Sequence, residues 1–533
     1  MGLDILTLAP TRTNGRHIAD YLQYRHIGLR LTVFNVIRQK VKMESTAAAP
    51  ATAPANTQLR RIADLPGPRP WPIFGNLLQM KSTRAHHDVE AWCRRHGPVF
   101  RIMFGREPIL VVAKHELVNA ILRDRPDGFR RPTVTQRISD EMGGIPGLFL
   151  AEGAAWRDQR RMVMAGFAPH AIKAYFPSLV KVALRLRERW IKAARAGHAL
   201  GLDDELKRYT VDIIAGLAFG TEVNTIDGGE DVIQRQMDVI LPAVARRSIA
   251  PFPYWRYVKL PQDRKLDRSM KFMLGAIDRL IVEARTRMEA DPARREKPQN
   301  LLEAMIAAAD QGGSGVDDVA VAGNVATMLL AGEDTTANTI AWVLYLLTRH
   351  PASMARVREE VAAIAPDPAA FSAEQMDGLD YLDACIQEAM RLKPVAPFLP
   401  LEALRDTVVG DVLVPRGSYV WCVLRHDSVA EAHFPNALGF EPERWLREGE
   451  NGADKRIPLP FGAGARTCPG RYLALLEIKI AVAMTLASFD ITVDTPDGKE
   501  ARELMGFVMS PIGLRMRLAV RSQPGLSPPS EAA

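Results

Sequence analysis

The most regular hydrophobic pattern in the chain lies between about residues 317 and 350. Apolar residues fill Val319–Leu330 and Ile340–Leu347, and the segment contains no proline. This pattern predicts one long helix. Its two apolar halves flank the run Ala331-Gly332-Glu333-Asp334-Thr335-Thr336. Because carboxylates are costly at the centre of a bilayer, Glu333 and Asp334 favour a buried core helix over a membrane span.

The rest of the chain shows further helical patterns and a few strand patterns. Helical spacing covers Ala154–Ala218, Val232–Ala290 and Gly470 to about Ser488. Strand patterns cover Val99–Phe104 with Ile109–Ala113, Leu404–Val423, and Ile491–Leu518, a hairpin with Pro511 and Gly513 at its turn. The Gly-, Pro- and Arg-rich stretch Phe129–Leu150 predicts an irregular loop. The expected fold class is mainly α with a small β-rich part.

The two ends of the chain depart from this pattern. Residues 1–60 combine an Arg- and His-rich extension with the Ala-, Pro- and Thr-rich stretch Glu44–Gln58, which predicts a flexible linker. We therefore expect Met43 to be the natural start. Residues 61–521 are expected to form one large domain, and residues 522–533 a flexible tail.

Composition narrows the class of protein. The 533 residues are 47% hydrophobic and 25% charged, which is ordinary for a globular protein. The net charge of +7 comes without a dense basic run, so nucleic acid is not indicated as a partner. The four cysteines show no CxxC spacing, which indicates a reducing compartment. The chain also has no secretory apolar segment and no GxGxxG nucleotide-binding motif.

Cys468 lies in the segment Phe461-Gly462-Ala463-Gly464-Ala465-Arg466-Thr467-Cys468-Pro469-Gly470. Its glycines permit a tight loop on which a sulfur can approach a metal closely. Pro469 suits the first position of the following helix. The positive N-terminus of that helix and the charge of Arg466 are expected to lower the pKa of the Cys468 thiol. A lone cysteine is otherwise most often a small buried apolar residue.

Two further pairs have helical spacing. Glu388 and Arg391 lie three residues apart, and Trp156 and Arg160 lie four apart, so each pair shares a helix face. Taken alone, the first pair is as typical of a surface ion pair, and the second of a basic amphipathic helix. Their order along the chain, before the cysteine segment, is what makes them informative.

Together these motifs resemble those of the cytochrome P-450 family. The cysteine segment is similar to the family's FxxGxRxCxG, the polar run in the long helix to [AG]Gx[DE]T[TS], and the two pairs to ExxR and WxxxR. The resemblance covers roughly residues 65–518. It implies haem b held between the long helix and the cysteine-loop helix, with the Cys468 thiolate as the axial iron ligand.

The resemblance also implies roles for the other motif residues. Asp334 and Thr335, with Glu333 beside them, would carry protons during oxygen activation. Phe461, Gly462, Arg466 and Gly470 would shape the haem loop. Trp156 and Arg160 would meet a haem propionate, and Arg444 would join Glu388 and Arg391 in a buried structural triad.

One position departs from the family pattern. Leu401 stands where many members have an arginine that contacts a propionate. Propionate anchoring is therefore expected to depend on Arg160, Trp156 and Arg466. This departure weakens one contact and leaves the resemblance intact.

The expected function is that of a monooxygenase of bacterial soluble type, without a fused reductase. It would insert one atom of O₂ into a fatty acid, terpenoid, steroid or aromatic compound in a pocket lined by Phe398 and Phe507. Electrons would come from a ferredoxin- or flavodoxin-type donor with an NAD(P)H reductase. The enzyme would be cytoplasmic, with weak peripheral membrane contact through residues 65–76. The donor would dock on a basic face made of Arg157, Arg160, Arg161, Arg466, Arg471 and Lys479.

Two other functions share the cysteine loop. One is a peroxide-dependent or rearranging haem-thiolate enzyme, and the other is a non-catalytic haem-binding sensor. Neither needs the acid–threonine pair Asp334 and Thr335, which is intact here. That pair favours the monooxygenase.

Overall fold

A computed structural model describes residues 59–220, 224–228, 232–248, 250, 252–449 and 452–521. The predictions for residues 1–58 and 522–533 lie outside these residues. Helices dominate the described part. In chain order they are α1 Ala85–His96, α2 His115–Arg123, α3 Thr133–Glu141, α4 Gly153–Gly166, α5 Pro169–Arg195, α6 Leu202–Phe219, α7 Val232–Ser248, α8 Pro261–Ala290, α9 Ala293–Glu296, α10 Leu301–Ala309, α11 Asp318–Arg349, α12 Pro351–Ile364, α13 Ala373–Asp377, α14 Asp380–Leu392 and α15 Arg471–Ser488.

The strands form four small sheets. They are β1 Arg60–Arg61, β2 Val99–Phe104, β3 Glu107–Val112, β4 Phe129–Arg130, β5 Leu200–Gly201, β6 Phe398–Ala403, β7 Thr407–Val409, β8 Val412–Val414, β9 Tyr419–Val423, β10 Phe489–Asp494, β11 Glu503–Met505, β12 Met509–Pro511 and β13 Arg515–Val520. The largest sheet has the order β2-β3-β9-β6-β4, with β3 and β9 parallel and the other neighbours antiparallel. The fold class is mainly α with small sheets, as predicted.

The long helix α11 is the central element. Asp317 caps it by accepting a hydrogen bond from the Ala320 N–H at 2.9 Å, and it ends at Arg349 before Pro351. Its residues from Thr336 to Leu347 are all buried, and it packs against α6 and α15. The sequence prediction of a buried helix over residues 317–350 is therefore confirmed. Among the described helices, none is long and apolar enough to span a bilayer.

The predicted charge triad is buried in the structure. Arg391 is fully buried on α14 and donates to both carboxylate oxygens of Glu388, at 2.7 and 2.8 Å. Arg444 donates to Glu388 at 3.1 Å from the short 3₁₀ turn Pro442–Trp445. Arg391 also donates to the carbonyl oxygens of Ser428, Ala437 and Gly439 at 2.6–3.0 Å. The pair is thus a structural cross-link, and the interpretation as a surface ion pair is wrong.

Two local predictions were wrong. The stretch 129–150, predicted to be irregular, contains β4 and the helix α3. The start of α3 is fixed by a distant side chain, because Glu402 accepts hydrogen bonds from the N–H and hydroxyl of Thr133 at 2.6 and 2.7 Å. Pro511 lies in β12, which pairs with β11, rather than at the turn of a single hairpin. The closing pair is β10 with β13, so the hairpin β11–β12 is an insertion between its strands.

Residues 143–151 lie directly against the backbone of α11. A Cβ at Gly147 would stand 2.1 Å from both the Gly323 carbonyl oxygen and the Thr327 hydroxyl oxygen, so only glycine allows this approach. The buried Asn324 side chain accepts from the Leu148 N–H at 3.0 Å and donates to Gln159 on α4 at 3.0 Å. This network fixes the segment between α4 and the long helix.

Candidate active site

The cysteine loop is a compact turn that precedes α15. The Cys468 N–H donates to the Phe461 carbonyl at 2.9 Å, which closes the loop. Gly464 adopts a φ of +71°, and a Cβ there would lie 2.8 Å from the Arg123 Cα at the end of α2. The loop therefore rests on the α2 backbone. Gly470 is the N-cap of α15, and Pro469 precedes it, so Pro469 is not the first helical residue as predicted.

The environment of Cys468 both opposes and supports a thiolate. The side chain is accessible to solvent but has protein atoms on most sides, and this burial raises the pKa of the thiol. The Gly470 N–H, Arg160 and Arg471 act in the opposite direction and lower this pKa. The expectation that Arg466 supplies the stabilising charge was wrong, since Arg160 and Arg471 occupy that role.

Arg466 instead connects the cysteine loop to the start of α4. Its guanidinium forms an ion pair with Glu152, donates to the Ala151 carbonyl at 2.8 Å, and lies 4.7 Å above the Trp156 ring. Trp156 is buried, and Arg160 is half-buried one turn further along α4, within electrostatic reach of Cys468. The structure thus brings together Trp156, Arg160, Arg466 and Cys468, as the motifs predicted.

Arg125 and Arg131 extend this cluster and were missed by sequence reasoning. Arg125 is buried, and its Nε and Nη2 atoms have no hydrogen-bond partner among the described residues. Burial, followed by the charge of Arg466, lowers its pKa to about 10. Burial and the charges of Arg125 and Arg466 also lower the pKa of Arg131. Neither arginine belongs to a sequence motif, so their membership of the cluster is visible only from their burial and their neighbours in the structure.

The four arginines make a strongly positive cradle beside the sulfur. Arg125, Arg131 and Arg466 share one nearby carboxylate, Glu152, which pairs with Arg466. Arg160 lies within electrostatic reach of Arg466 and Cys468. An anionic group would both satisfy the orphaned Arg125 nitrogens and offset the positive charge of the cradle. The two propionates of haem have this charge, and the Cys468 sulfur offers the thiolate. The residues present fit the cofactor.

The predicted proton-transfer residues lie on the central part of α11. The Thr335 hydroxyl donates to the Ala331 carbonyl at 2.6 Å on an accessible face of the helix. Asp334 points to α6, where its carboxylate lies 3.7 Å from Lys207 Nζ. Burial raises the pKa of Asp334, partly offset by Lys207. Glu333 is buried. Lys207, which sequence reasoning missed, is the partner of Asp334.

A second missed residue connects α11 to the cysteine helix. Glu477 is buried on α15, and its side chain is hydrogen-bonded to Thr336, the residue after Thr335. Burial raises the pKa of Glu477 to about 8, so its carboxyl group is protonated at neutral pH. Tyr209 of α6 donates to the Glu477 backbone carbonyl at 3.1 Å. These contacts fix the register between the threonine pair and the helix that begins after Cys468.

Aromatic side chains predicted for the pocket fall into two groups. Phe507, between β11 and β12, lies 6.0 Å from Phe149 by ring centroids, so the inserted hairpin meets the 143–151 segment. Phe398 instead stacks on Trp421 at 5.3 Å, within the packing of the largest sheet. Gly332 of α11 packs against Ile214 of α6, whose Cδ1 would stand 2.6 Å from a Cβ there.

The six basic residues predicted for a donor face do not all reach the surface. Lys479 is buried and bonded to the Met376 carbonyl at 3.1 Å and to Asp383 at 3.2 Å. Arg466 is also directed into the protein, where it forms an ion pair with Glu152. Arg157, Arg161 and Arg471 are exposed. The accessible basic surface near Cys468 is therefore smaller than predicted.

Comparison with known proteins is consistent with this site. The family described as Cytochrome P450 matches residues 65–517. Protein LUTEIN DEFICIENT 5, chloroplastic, of Arabidopsis thaliana is 26% identical over 443 residues, covering 80% of this chain and 73% of the relative. A cytokinin hydroxylase of the same plant is 28% identical over 455 residues, covering 80% and 85%.

A fungal relative differs in length. A self-sufficient cytochrome P450 monooxygenase of Oidiodendron maius is 28% identical over 447 residues, which cover 82% of this chain but only 40% of that protein. These relatives are plant and fungal proteins, so they do not support the predicted bacterial type. The extent of the family match, with the geometry around Cys468, shows that the chain belongs to the cytochrome P450 family of haem-thiolate monooxygenases.

Proposed function

We propose that this P450 monooxygenase hydroxylates or epoxidises a hydrophobic organic substrate, using electrons from a separate redox partner. The observation that carries the proposal is the accessible Cys468 sulfur beside a cradle of four arginines, of which Arg466 alone forms an ion pair with a carboxylate of the described residues. Bound haem supplies the oxidising chemistry, with O₂, two electrons and two protons consumed and one water released.

Individual residues would contribute as follows. Cys468 would ligate the iron, and the Gly470 N–H would stabilise the negative charge on its sulfur. Arg125, Arg131 and Arg160 would hold the propionates, with Trp156 and Arg466 fixing the cysteine loop against α4. The Thr335 hydroxyl would hand protons to the reaction, and Asp334, whose pKa is raised by burial and lowered by Lys207, would supply them.

The proposed substrate class is supported by two aromatic side chains, Phe149 and Phe507, that meet beside the segment resting on α11. Phe149 and Phe507 meet at the edge of the site, and the adjoining segment 143–151 rests on α11. Aromatic side chains such as these typically line the walls of apolar binding pockets. A fatty acid, terpenoid, steroid or aromatic compound would suit such a pocket.

The electron donor and the cellular site are also proposed. A ferredoxin- or flavodoxin-type donor would dock near Arg157, Arg161 and Arg471, which are exposed around the cysteine loop. The enzyme would be cytoplasmic. Weak contact with a membrane surface would come from exposed apolar side chains between residues 71 and 78, namely Trp71, Ile73, Phe74 and Leu78.

The test is the carbon monoxide difference spectrum of the reduced holoprotein and of Cys468→Ser. The wild type should show the red-shifted Soret band of a thiolate-ligated haem, and the variant should lose that band together with activity. Cys93→Ala is the matched control, because Cys93 is buried in the core and should leave the band unchanged. A red-shifted band in Cys468→Ser would refute the proposed ligand.

The same holoprotein allows a substrate screen. Titration with long-chain fatty acids, terpenoids, steroids and aromatic compounds should shift the spin state of the haem for at least one class. If only hydrophilic compounds gave the shift, the proposed substrate class would be wrong.

A further inference from the structure

Two groups of three metal-ligand side chains occur among the described residues, and both lie outside the haem site. The first contains His86, His87 and Glu503, and the second contains His115, Asp427 and His433. In each group the potential ligand atoms lie within 4.8 Å of one another. The two groups differ in the charges that surround their carboxylate.

The carboxylate of the first group is already paired with positively charged side chains. Glu503 accepts from Lys393 at 2.8 Å and from Arg425 at 2.9 Å, in addition to His86 at 2.9 Å. Two permanent cations on one carboxylate would repel a metal ion. This group is therefore a structural ion-pair network.

The second group has no Lys or Arg on its carboxylate among the described contacts. One oxygen of Asp427, Oδ2, lies 2.9 Å from the His115 Nδ1 and 3.6 Å from the His433 Nε2. Ligand atoms about 2.0–2.1 Å from a tetrahedral zinc ion stand roughly 3.3 Å apart, so both distances are close to what the metal needs. Two imidazoles and one carboxylate are also a ligand set that zinc accepts, with water as the fourth ligand.

The hydrogen bonds around the Asp427 carboxylate are also those expected of a metal ligand. The other carboxylate oxygen, Oδ1, lies 2.8 Å from the His426 Nδ1, and the His115 backbone N–H donates to Oδ2 at 2.8 Å. Ligating carboxylates are commonly oriented by such outer hydrogen bonds. Asp427 is therefore held in one position while Oδ2 faces two imidazoles.

The surroundings also favour a cation that arrives from solvent. The side chains of His115 and His433 are 15% and 29% exposed, and that of Asp427 is 9% exposed. Glu116 lies 3.4 Å from the His115 Nδ1 and pairs with Lys114 at 3.9 Å, and Asp454 is a second nearby carboxylate, which pairs with Arg456 at 2.7 Å. The local charge is thus negative when the three histidines are neutral, which is the state that binds metal.

We propose that His115, Asp427 and His433 form a binding site for one divalent zinc-type cation, separate from the haem. The ligands come from the first residue of α2, from the segment after β9 and from the following turn. The far end of α2 supports the cysteine loop at Gly464. The bound metal would therefore fasten α2 to the segment whose Ser428 carbonyl accepts from Arg391.

The experiment measures zinc per haem iron in the full-length holoprotein. The protein is stripped with a chelator, equilibrated with Zn²⁺ alone and desalted, and both metals are counted by mass spectrometry. We expect about one zinc per iron in the wild type. His433→Ala, which alters a partly exposed side chain, should reduce zinc affinity at least tenfold, and Asp427→Asn should do the same while retaining an acceptor for the α2 N–H. His198→Ala, at an exposed histidine on a turn, is the control and should retain the metal.

A second measurement identifies the ligands. X-ray absorption at the zinc edge should show only nitrogen and oxygen neighbours with two imidazoles. Failure of the wild type to retain zinc would overturn the site and leave a hydrogen-bonded His–Asp helix cap. Equal retention by His433→Ala, or sulfur ligation, would place zinc elsewhere and would also overturn it.

Discussion

The Thr335 hydroxyl is hydrogen-bonded to the backbone of its own helix. It donates to the Ala331 carbonyl at 2.6 Å, a bond that must be exchanged before the proton can be delivered elsewhere. We expect Thr335→Ala to lower the ratio of product formed to NAD(P)H consumed by about tenfold or more, within the range of general acid–base catalysis. Thr339→Ala is the control, because its hydroxyl makes the same type of bond, to Thr335, one turn away. Equal coupling in Thr335→Ala and the wild type would contradict the proposed role.

Glu477 predicts an unusual dependence of stability on pH. The folded protein keeps the proton on this carboxyl up to about pH 8, whereas the unfolded chain releases it near the ordinary value of 4.5. The unfolded state therefore binds fewer protons over this interval, and the free energy of unfolding falls as pH rises through it.

Glu477→Gln should remove this dependence. Relative to the wild type, the variant should gain at least about 1.4 kcal/mol in unfolding free energy between pH 5 and pH 8.5, the equivalent of one pKa unit. Urea unfolding of the two holoproteins across that range measures it. Parallel stability curves would show that Glu477 is ionised in the folded protein.

At the residue scale, the sequence was enough to identify those site residues whose separation is fixed by local structure. Cys468, Arg466, Trp156 and Arg160 were found because a loop and one helix face fix their separation. Arg125 and Glu477 were missed, since their properties come from burial and from partners brought together by folding. For the same reason, sequence reasoning assigned the charge beside Cys468 to Arg466 rather than to Arg160 and Arg471, and it missed the burial that raises the pKa of the thiol.

Among the elements, α11 and the segment 143–151 approach each other closely at Gly147. Gly147→Ala would place a Cβ 2.1 Å from the Gly323 carbonyl oxygen, and neither backbone can yield without moving the segment. We expect a loss of about 1–3 kcal/mol in the free energy of unfolding. Gly216→Ala on α6 is the control, because nothing lies within 4 Å of its Cβ, and it should be neutral or stabilising by up to about 1 kcal/mol. Similar losses in both variants would refute the close approach.

Helices and strands were predictable where the residues that determine them are close together in the sequence. The boundaries of α11 came within one residue of the prediction, because its apolar run and its Asp317 cap are both local. The helix α3 was missed because its first turn is satisfied by Glu402, from a strand far along the chain. The inserted hairpin β11–β12 was merged with its neighbours because both of its strands have only three residues.

For the whole molecule, Arg391 joins α14 to the irregular segment between β9 and α15. A lysine cannot reproduce its two bonds to Glu388 and its three bonds to carbonyl oxygens. We expect Arg391→Lys to cost about 3–5 kcal/mol and to sharply reduce the yield of haem-loaded protein. Arg356→Lys is the control, because that side chain is half exposed and pairs with Glu443 at 3.4 Å, so it should cost less than about 1 kcal/mol. Comparable haem yields from the two variants would contradict the structural role.

The arginine cradle has a consequence for the amount of folded protein in the cell. Without an anionic ligand, the like charges of Arg125, Arg131, Arg160 and Arg466 repel one another within a partly buried volume. A ligand that relieves this repulsion binds only the folded chain, so its concentration shifts the folding equilibrium. The amount of enzyme that survives proteolysis after synthesis would then follow the supply of cofactor, so porphyrin production would set one limit on its abundance.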